Sequence, residues 1–303
     1  MSSPYIGRVA PTPTGYLHRG HGQTFIVAWK RAQKRGGELL YRDEDLDPQR
    51  CRPEFSEAAL EDIRWLGIEW DQGPDIGGPR GPFRQSERKK HYLKAWEKLK
   101  ASGFIYPTTR SRKELTNAAQ AGLAQYAPPD EDEQDGEPIF PPAWRPEPGA
   151  GLEADEPGNM NWRMRVPDGL AVKFVDGYFG ARSYVAGRDF GDFLIWRRDG
   201  IPSYELAVVV DDIEMGVTEV VRGADLLRST ARQLLIYLAL QTKPPAFFHC
   251  PLVRDSAGNR LAKRSESEAL RSFREKGFTP KEIYARKRPE ESSPQVTETA
   301  SEA

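Results

Sequence analysis

Apolar residues in this chain come in short blocks separated by Gly, Pro and charged clusters. Residues 5–10 form an apolar strand that runs into a Pro/Thr/Gly turn. A helix follows, continuing through Phe25, Ile26, Val27 and Trp29. Residues 38–42 read as a second strand, ending in the acidic run Asp43-Glu44-Asp45-Leu46-Asp47. Helical spacing of apolar positions predicts a helix over 54–66, which Gly67 stops. A Gly/Pro-rich loop covers 71–84, and a further helix over 88–102 buries Tyr92, Leu93, Trp96 and Leu99. The segment from Ser111 opens a helix to about 122, and residues 161–166 and 171–174 look like short strands. A strand at 192–196, a turn at 200–204 and an apolar run at 205–212 ending in two carboxylates come next. A strand over 218–222, a turn at Gly223, an apolar helix over 226–240 and a helix over 266–276 complete the pattern. Strands alternating with helices predict an α/β fold.

Composition sharpens the domain reading. Residues 128–157 hold eight prolines and ten Asp/Glu against one arginine, too little apolar surface to fold alone, so a loop or disordered insertion is expected there. We therefore expect two halves of an α/β domain, 1–103 and 188–286, split by a smaller α+β insertion over 104–187. A disordered tail is expected over 287–303. At 303 residues the chain is long enough for a proper core. Its net charge of −1 neither favours nor excludes a nucleic-acid partner, because basic residues can cluster on one face. Two cysteines, Cys51 and Cys250, give no disulfide framework and suit a reducing compartment. The N-terminal residues lack the basic and apolar regions of a secretory signal, and the apolar runs fall well short of a membrane span. A cytoplasmic location without membrane attachment is expected.

The richest chemistry lies at residues 8–21, Arg-Val-Ala-Pro-Thr-Pro-Thr-Gly-Tyr-Leu-His-Arg-Gly-His. A strand–turn–helix unit presents unpaired N–H groups and the positive dipole end at the helix start, a natural phosphate site. His18 and His21 share one face of the first turn and can both donate to phosphate oxygens. Gly15 and Gly20 let the backbone turn tightly and let a flat ligand approach. The whole stretch resembles the HIGH signature of class I aminoacyl-tRNA synthetases, in the form found in the glutamyl-tRNA synthetase group. Arg19 stands where that group usually has an apolar residue, and either points to solvent or changes how the helix packs. The segments Ser203 to Asp212 and Gly216 to Leu227 are similar to the second conserved block of the same group. The resemblance covers about residues 5–285 and implies a Rossmann-like catalytic domain split by the insertion.

That resemblance implies ATP-dependent activation of L-glutamate. Such a site needs a cation for each carboxylate, a polar or anionic group for the ammonium, and phosphate-binding groups for ATP. By the match to the group, Arg8, Val9, Ala10, Pro11, Thr12, Glu44, Tyr204 and Arg222 bind glutamate. His18, Gly20, His21 and Lys263 bind ATP, with His18, His21 and Lys263 acting in catalysis beside Mg²⁺. Arginine suits the carboxylates because its planar fork bonds both oxygens. Lys263 lies in Arg260-Leu261-Ala262-Lys263-Arg264, a degenerate form of the KMSKS signature with Arg260 and Ala262 replacing a lysine and a serine. A zinc site common in one branch of the group is expected to be absent, since Thr108, Arg110 and Asp130 occupy its cysteine places. The Arg-Gly-Ala-Asp-Leu-Leu wording at 222–227 is nearer to a shortened branch that transfers glutamate to the queuosine base of tRNA(Asp). Only forty residues follow Lys263, which suggests no anticodon-reading domain. Two alternatives stay open: a truncated enzyme charging a tRNA 3′ end, and an inactive paralogue that only binds RNA.

Overall fold

The computed structural model describes residues 4–129, 136–253 and 269–285. Asp130, the lysine pentamer at 260–264 and the expected tail at 287–303 lie outside the described residues. Two parallel strand pairs form the centre. Strand β1 (Ile6–Val9) pairs with β2 (Glu38–Tyr41), crossing through helix α1 (Arg19–Lys34). Strand β8 (Glu219–Gly223) pairs in parallel with β9 (Ala246–Cys250), crossing through α6 (Leu227–Ala239). The backbone N–H of Thr218 donates to the Ile6 carbonyl (2.8 Å) and that of Ile6 donates to Thr218 Oγ1 (2.9 Å), so β1 lies beside β8. The C-terminal ends of these strands therefore open on one side, where ligands of open α/β sheets sit.

Helices α2 (Pro53–Trp65) and α3 (Lys89–Ala101) form where the apolar spacing places them. In α3 Tyr92, Trp96 and Leu99 are fully buried. The run at 205–212 proves to be a helix, α5 (Tyr204–Glu214), with Ser203 as N-cap accepting from Leu206 N (3.2 Å). Every residue from Glu205 to Asp212 is buried, which is why its periodicity is invisible in the sequence.

The strands between the halves pair across the expected boundary at 187. Strands β3 (Ile105–Thr108), β4 (Asn161–Met164) and β7 (Phe193–Trp196) make an antiparallel sheet, with β7 coming from beyond that boundary. The hairpin β5 (Ala171–Asp176) and β6 (Gly180–Val185) instead joins the central sheet, Asp176 pairing with Phe247 of β9. Residues 136–157 are loop apart from one 3-10 turn at Pro142–Trp144, and Glu147, Glu153, Asp155 and Glu156 are exposed, but the segment is also docked. Phe140 packs with Tyr106 and with Leu115 of α4 (Arg112–Gln120). Arg145 bonds Asp192 and Asp168. Three apolar anchors, Ile139, Phe140 and Trp144, suffice to dock an otherwise polar segment. The last described elements are α7 (Leu270–Glu275), within the expected helix over 266–276 whose first three residues lie outside the described residues, and α8 (Pro280–Ala285). No helix among the described residues is long and apolar enough to cross a membrane.

A buried ion cluster joins the acidic loop and α3 to α5. Arg42, just after β2, is fully buried; its Nη1 donates to Asp212 Oδ1 (2.6 Å) and its Nη2 to Glu44 Oε1 (3.0 Å). Neighbouring Asp211 accepts from Arg88 Nε (2.6 Å), Gln85 Nε2 (2.7 Å) and Tyr92 Oη (3.1 Å). Removing one partner leaves the others charged and unpaired in a dry interior. Asp211→Ala should therefore cost about 3–5 kcal/mol of stability, read from urea unfolding. A loss under about 1 kcal/mol would place the cluster's energy elsewhere.

Candidate active site

A cavity of about 640 Å³ opens at the C-terminal ends of β1 and β8, over the start of α1. Arg8, Ala10, Pro11, Thr12, His18, Gly20, His21, Glu44, Tyr204 and Arg222 all line it. Val9 does not. Strand side chains alternate between faces, so with Arg8 at the cavity Val9 turns into the core, fully buried in the cluster of Phe25 and Tyr41. Lys263 lies outside the described residues. Its described flanks reach the site: Val253 lines the cavity and Ala269 bridges His18.

The histidine turn is built as a reciprocal cap. His18 is the N-cap of α1, and its Nδ1 accepts from Gly20 N (3.1 Å). His21 Nδ1 accepts in turn from His18 N (3.2 Å), and the two rings stack 3.7 Å apart. Two orphan N–H groups of the helix start are thereby satisfied. An Nδ1 that accepts leaves the proton of a neutral ring on Nε2. Each imidazole thus carries one donor, of the kind a phosphate oxygen takes. Gly20 has no room for a larger residue without displacing the His18 ring, since an added Cβ would lie 3.0 Å from it.

On the opposite wall the charges divide into two groups. Arg8, Arg42 and Arg88 face Asp211, Asp212 and Glu44, three cations against three carboxylates. Arg8 donates through Nη1 to Val221 O (2.8 Å), and its Nε lies 3.7 Å from Asp212. Burial lowers its affinity for the proton. Glu44 lies three residues beyond β2 and accepts from Arg42 and, at 3.4 Å, from Thr12 Oγ1. Burial pushes its carboxyl upward against the pull of Arg42 and Arg8, so an arriving ammonium would be a welcome counter-charge. The acidic run is not a solvated turn: Asp43, Glu44 and Asp47 are all buried. Tyr204 is 37% exposed, and that surface opens into the cavity.

Arg222 stands apart from this balanced group. It is 5% exposed, yet among the described residues it bonds only neutral acceptors: His249 Nε2 (3.1 Å), Thr230 Oγ1 (2.8 Å) and Leu226 O (3.4 Å). Sequence reading missed Arg42, Asp211, Asp212 and His249. Asp211 and Asp212 left a signal as the two carboxylates closing the apolar run at 205–212, and His249 left one as a lone histidine inside an apolar strand.

At the insertion, Thr108 Oγ1 accepts from Arg110 N (3.2 Å), and the Arg110 guanidinium lies 4.6 Å over the Trp144 ring. Among the described residues no three His, Cys, Asp or Glu side chains are grouped to hold a metal.

The sequence matches the family described as tRNA synthetases class I (E and Q), catalytic domain, over residues 6–287. It is 44% identical to a glutamyl-Q tRNA(Asp) synthetase of Nitratidesulfovibrio vulgaris, over 89% of this chain and 81% of that one. It is 39% identical to a glutamate–tRNA ligase of Symbiobacterium thermophilum, over 90% of this chain but 55% of the ligase. Among solved structures, glutamate–tRNA synthetase from Elizabethkingia anophelis superposes with a TM-score of 0.73 at 28% identity, over 91% of this chain and 54% of that one. The chain thus spans about half the length of the glutamate–tRNA ligases it matches.

Asp43, next to Glu44, offers a pH test of the acidic loop. Burial pushes its carboxyl up to about 6, above the roughly 3.9 of an unfolded aspartate. The folded chain therefore holds this proton more tightly than the unfolded chain, and the associated stability is lost as pH rises through about 4 to 6. Asp43→Asn removes that loss. Its urea midpoint should gain on the parent's between pH 4 and pH 7, and a difference that stays flat with pH would contradict the assignment.

Proposed function

The chain belongs to the catalytic-domain family of class I tRNA synthetases for glutamate and glutamine, and on that premise we propose that it activates L-glutamate with ATP and transfers it to the queuosine base of tRNA(Asp). One observation carries the reading: a single cavity gathers the capped histidine turn, two arginines, Glu44 and Tyr204. Arg8 and Arg222 take the two carboxylates of glutamate, Glu44 and Tyr204 its ammonium side, and the α1 start takes the ATP phosphates. No protein nucleophile is needed. The α-carboxylate attacks the α-phosphorus of ATP, forming glutamyl-adenylate and releasing pyrophosphate. A hydroxyl of the queuosine cyclopentene-diol then attacks the activated carbonyl, and AMP leaves. Catalysis is positioning plus hydrogen bonding to developing phosphate charge by His18 and His21. We assign Lys263 to the same phosphates, a role favoured by its flanks at Val253 and Ala269. Magnesium accompanies ATP as part of that substrate.

The acceptor rests on kinship. The relatives named glutamyl-Q tRNA(Asp) synthetase are matched over 81% and 83% of their length at 44% and 43% identity. The division into two catalytic halves and an insertion belongs to this proposal, with β7 and the β5–β6 hairpin exchanged relative to the boundary at 187. Glutamate-dependent ATP–pyrophosphate exchange should proceed without RNA. Arg8→Ala should lose about 2–5 kcal/mol of it by leaving a carboxylate unpaired. Glutamate incorporation should survive removal of the terminal adenosine of tRNA(Asp) and vanish on tRNA(Asp) lacking queuosine. The reverse pattern would favour charging of a 3′ end, and absence of exchange would favour a protein that only binds RNA.

We also propose that the insertion folds without zinc. The Thr108–Arg110 bond and the Arg110–Trp144 stack occupy two of the three places, and Asp130 lies outside the described residues. Elemental analysis of purified protein should find no stoichiometric metal, and a chelator should leave the melting point unmoved. One tightly bound zinc per chain would overturn this.

A further inference from the structure

Three side chains line up on one face across three neighbouring strands. Arg222 of β8 and His249 of β9 are register partners. Asp176 ends β5 opposite Phe247, two positions from His249 and so on the same face. His249 is fully buried, its Nδ1 2.7 Å from Asp176 Oδ2 and its Nε2 accepting from Arg222 Nε at 3.1 Å. Asp176 is itself immobilised. It accepts the backbone N–H groups of Tyr178 (3.0 Å), Phe179 (2.9 Å) and His249 (3.1 Å).

We infer that Asp176 and His249 form a positioning relay that orients the Arg222 guanidinium toward a substrate carboxylate while leaving its charge unneutralised. This rests on the proposed role of Arg222 in binding glutamate. An ionised Asp176 accepts only, so His249 donates through Nδ1 and its neutral ring offers Nε2 as an acceptor. Arg222 Nε is thereby fixed, and Nη2 is fixed by Thr230, whose hydroxyl lies 3.2 Å from the Leu226 carbonyl. Nη1 has no protein partner among the described residues, in a side chain that lines the cavity.

The choice of a neutral acceptor decides the chemistry. A carboxylate at position 249 would hold Arg222 as firmly, but it would cancel the charge that a ligand carboxylate needs. Arg42 shows that alternative within the same molecule, saturated by Asp212 and Glu44 and closed to ligands. Arg222 is a buried cation with no carboxylate in ion-pair distance among the described residues. Buried Glu205 feels its charge but is bonded to Ser229 and Gln233, so a direct carboxylate partner arrives with the substrate. Burial keeps the imidazole below its ordinary value, against the opposing pull of Asp176, in keeping with a neutral ring.

Full-length His249→Phe, His249→Gln, Asp176→Asn and Arg222→Gln variants test the relay in ATP–pyrophosphate exchange, with melting points recorded for each. His249→Phe removes the acceptor, and a lost hydrogen bond to a charged group should raise KM for glutamate by roughly ten- to a hundredfold. KM for ATP should stay within about twofold, since the histidine turn is untouched. His249→Gln restores an acceptor near the Nε2 position and should recover part of the loss. Asp176→Asn keeps the backbone contacts but lets the ring place its proton on Nε2, against Arg222. It too should raise KM for glutamate, at a nearly native melting point. Native glutamate KM in His249→Phe or in Asp176→Asn would overturn the relay, as would equal rises for glutamate and ATP. If His249→Phe does not fold, Asp176→Asn and His249→Gln decide by the same split. An Arg222→Gln variant with native glutamate KM would instead remove the binding role on which the relay depends.

Discussion

The buried guanidinium of Arg42 is the constraint on which the site's electrostatics depend. Its fork reaches Glu44 on the acidic loop and Asp212 on α5, the latter 170 residues away in sequence. Burying one charge would be prohibitive, but cations and carboxylates packed as a set solvate one another. The set includes Arg8, so the cavity wall inherits fixed charges rather than mobile surface ones. Glu44 is held with one oxygen on Arg42 and the other near Thr12. Few rotamers remain for it to lose when a ligand arrives, which is how preorganisation lowers the entropic cost of binding.

The parallel strands convert this local order into a site. Adjacent parallel strands end on the same side, so Arg8 of β1 and Arg222 of β8 reach one cavity although 214 positions separate them. The two-residue period sends Val9 into the core beneath, while Val221 packs in the same cluster at the cavity's edge. The helix start supplies donors opposite the arginines. One half of the cavity therefore suits phosphate and the other carboxylate, without a metal held by the described residues.

Legibility in sequence followed the range of the interactions. The strand–turn–helix unit at 5–34 was readable because its Pro, Gly and His signals are local. The pair of arginines at strand ends was readable once the α/β alternation was. The role of Arg42 was not, because a lone arginine before an acidic run looks like a surface ion pair until α5 is packed against it. That helix was itself obscured, since apolar residues on all sides leave no stripe to count. Likewise, nothing local in Ala171–Asp176 says that β5 leaves the insertion and joins β9, a pairing made through one register contact and the Asp176–His249 bond.

The departure at Arg19 yields to the same reasoning. An arginine at the first helical position, beside two histidines, looks unfavourable, because the positive dipole end repels cations. The side chain does not stay there. Its Nη2 donates to the carbonyl of Ile283 (2.9 Å), in the last turn of α8, where unpaired carbonyls favour a cation. Tyr284 returns a bond from its hydroxyl to the Arg19 carbonyl (3.0 Å) and lies over Gly22, which has no side chain to obstruct it. Leu270 N donates to Leu17 O (2.7 Å), one residue before the N-cap histidine. Position 19 and the α7–α8 pair are thus one adaptation. The cation that stands in place of the usual apolar residue binds the helix pair, and the helix pair holds the backbone on which the histidine cap is built.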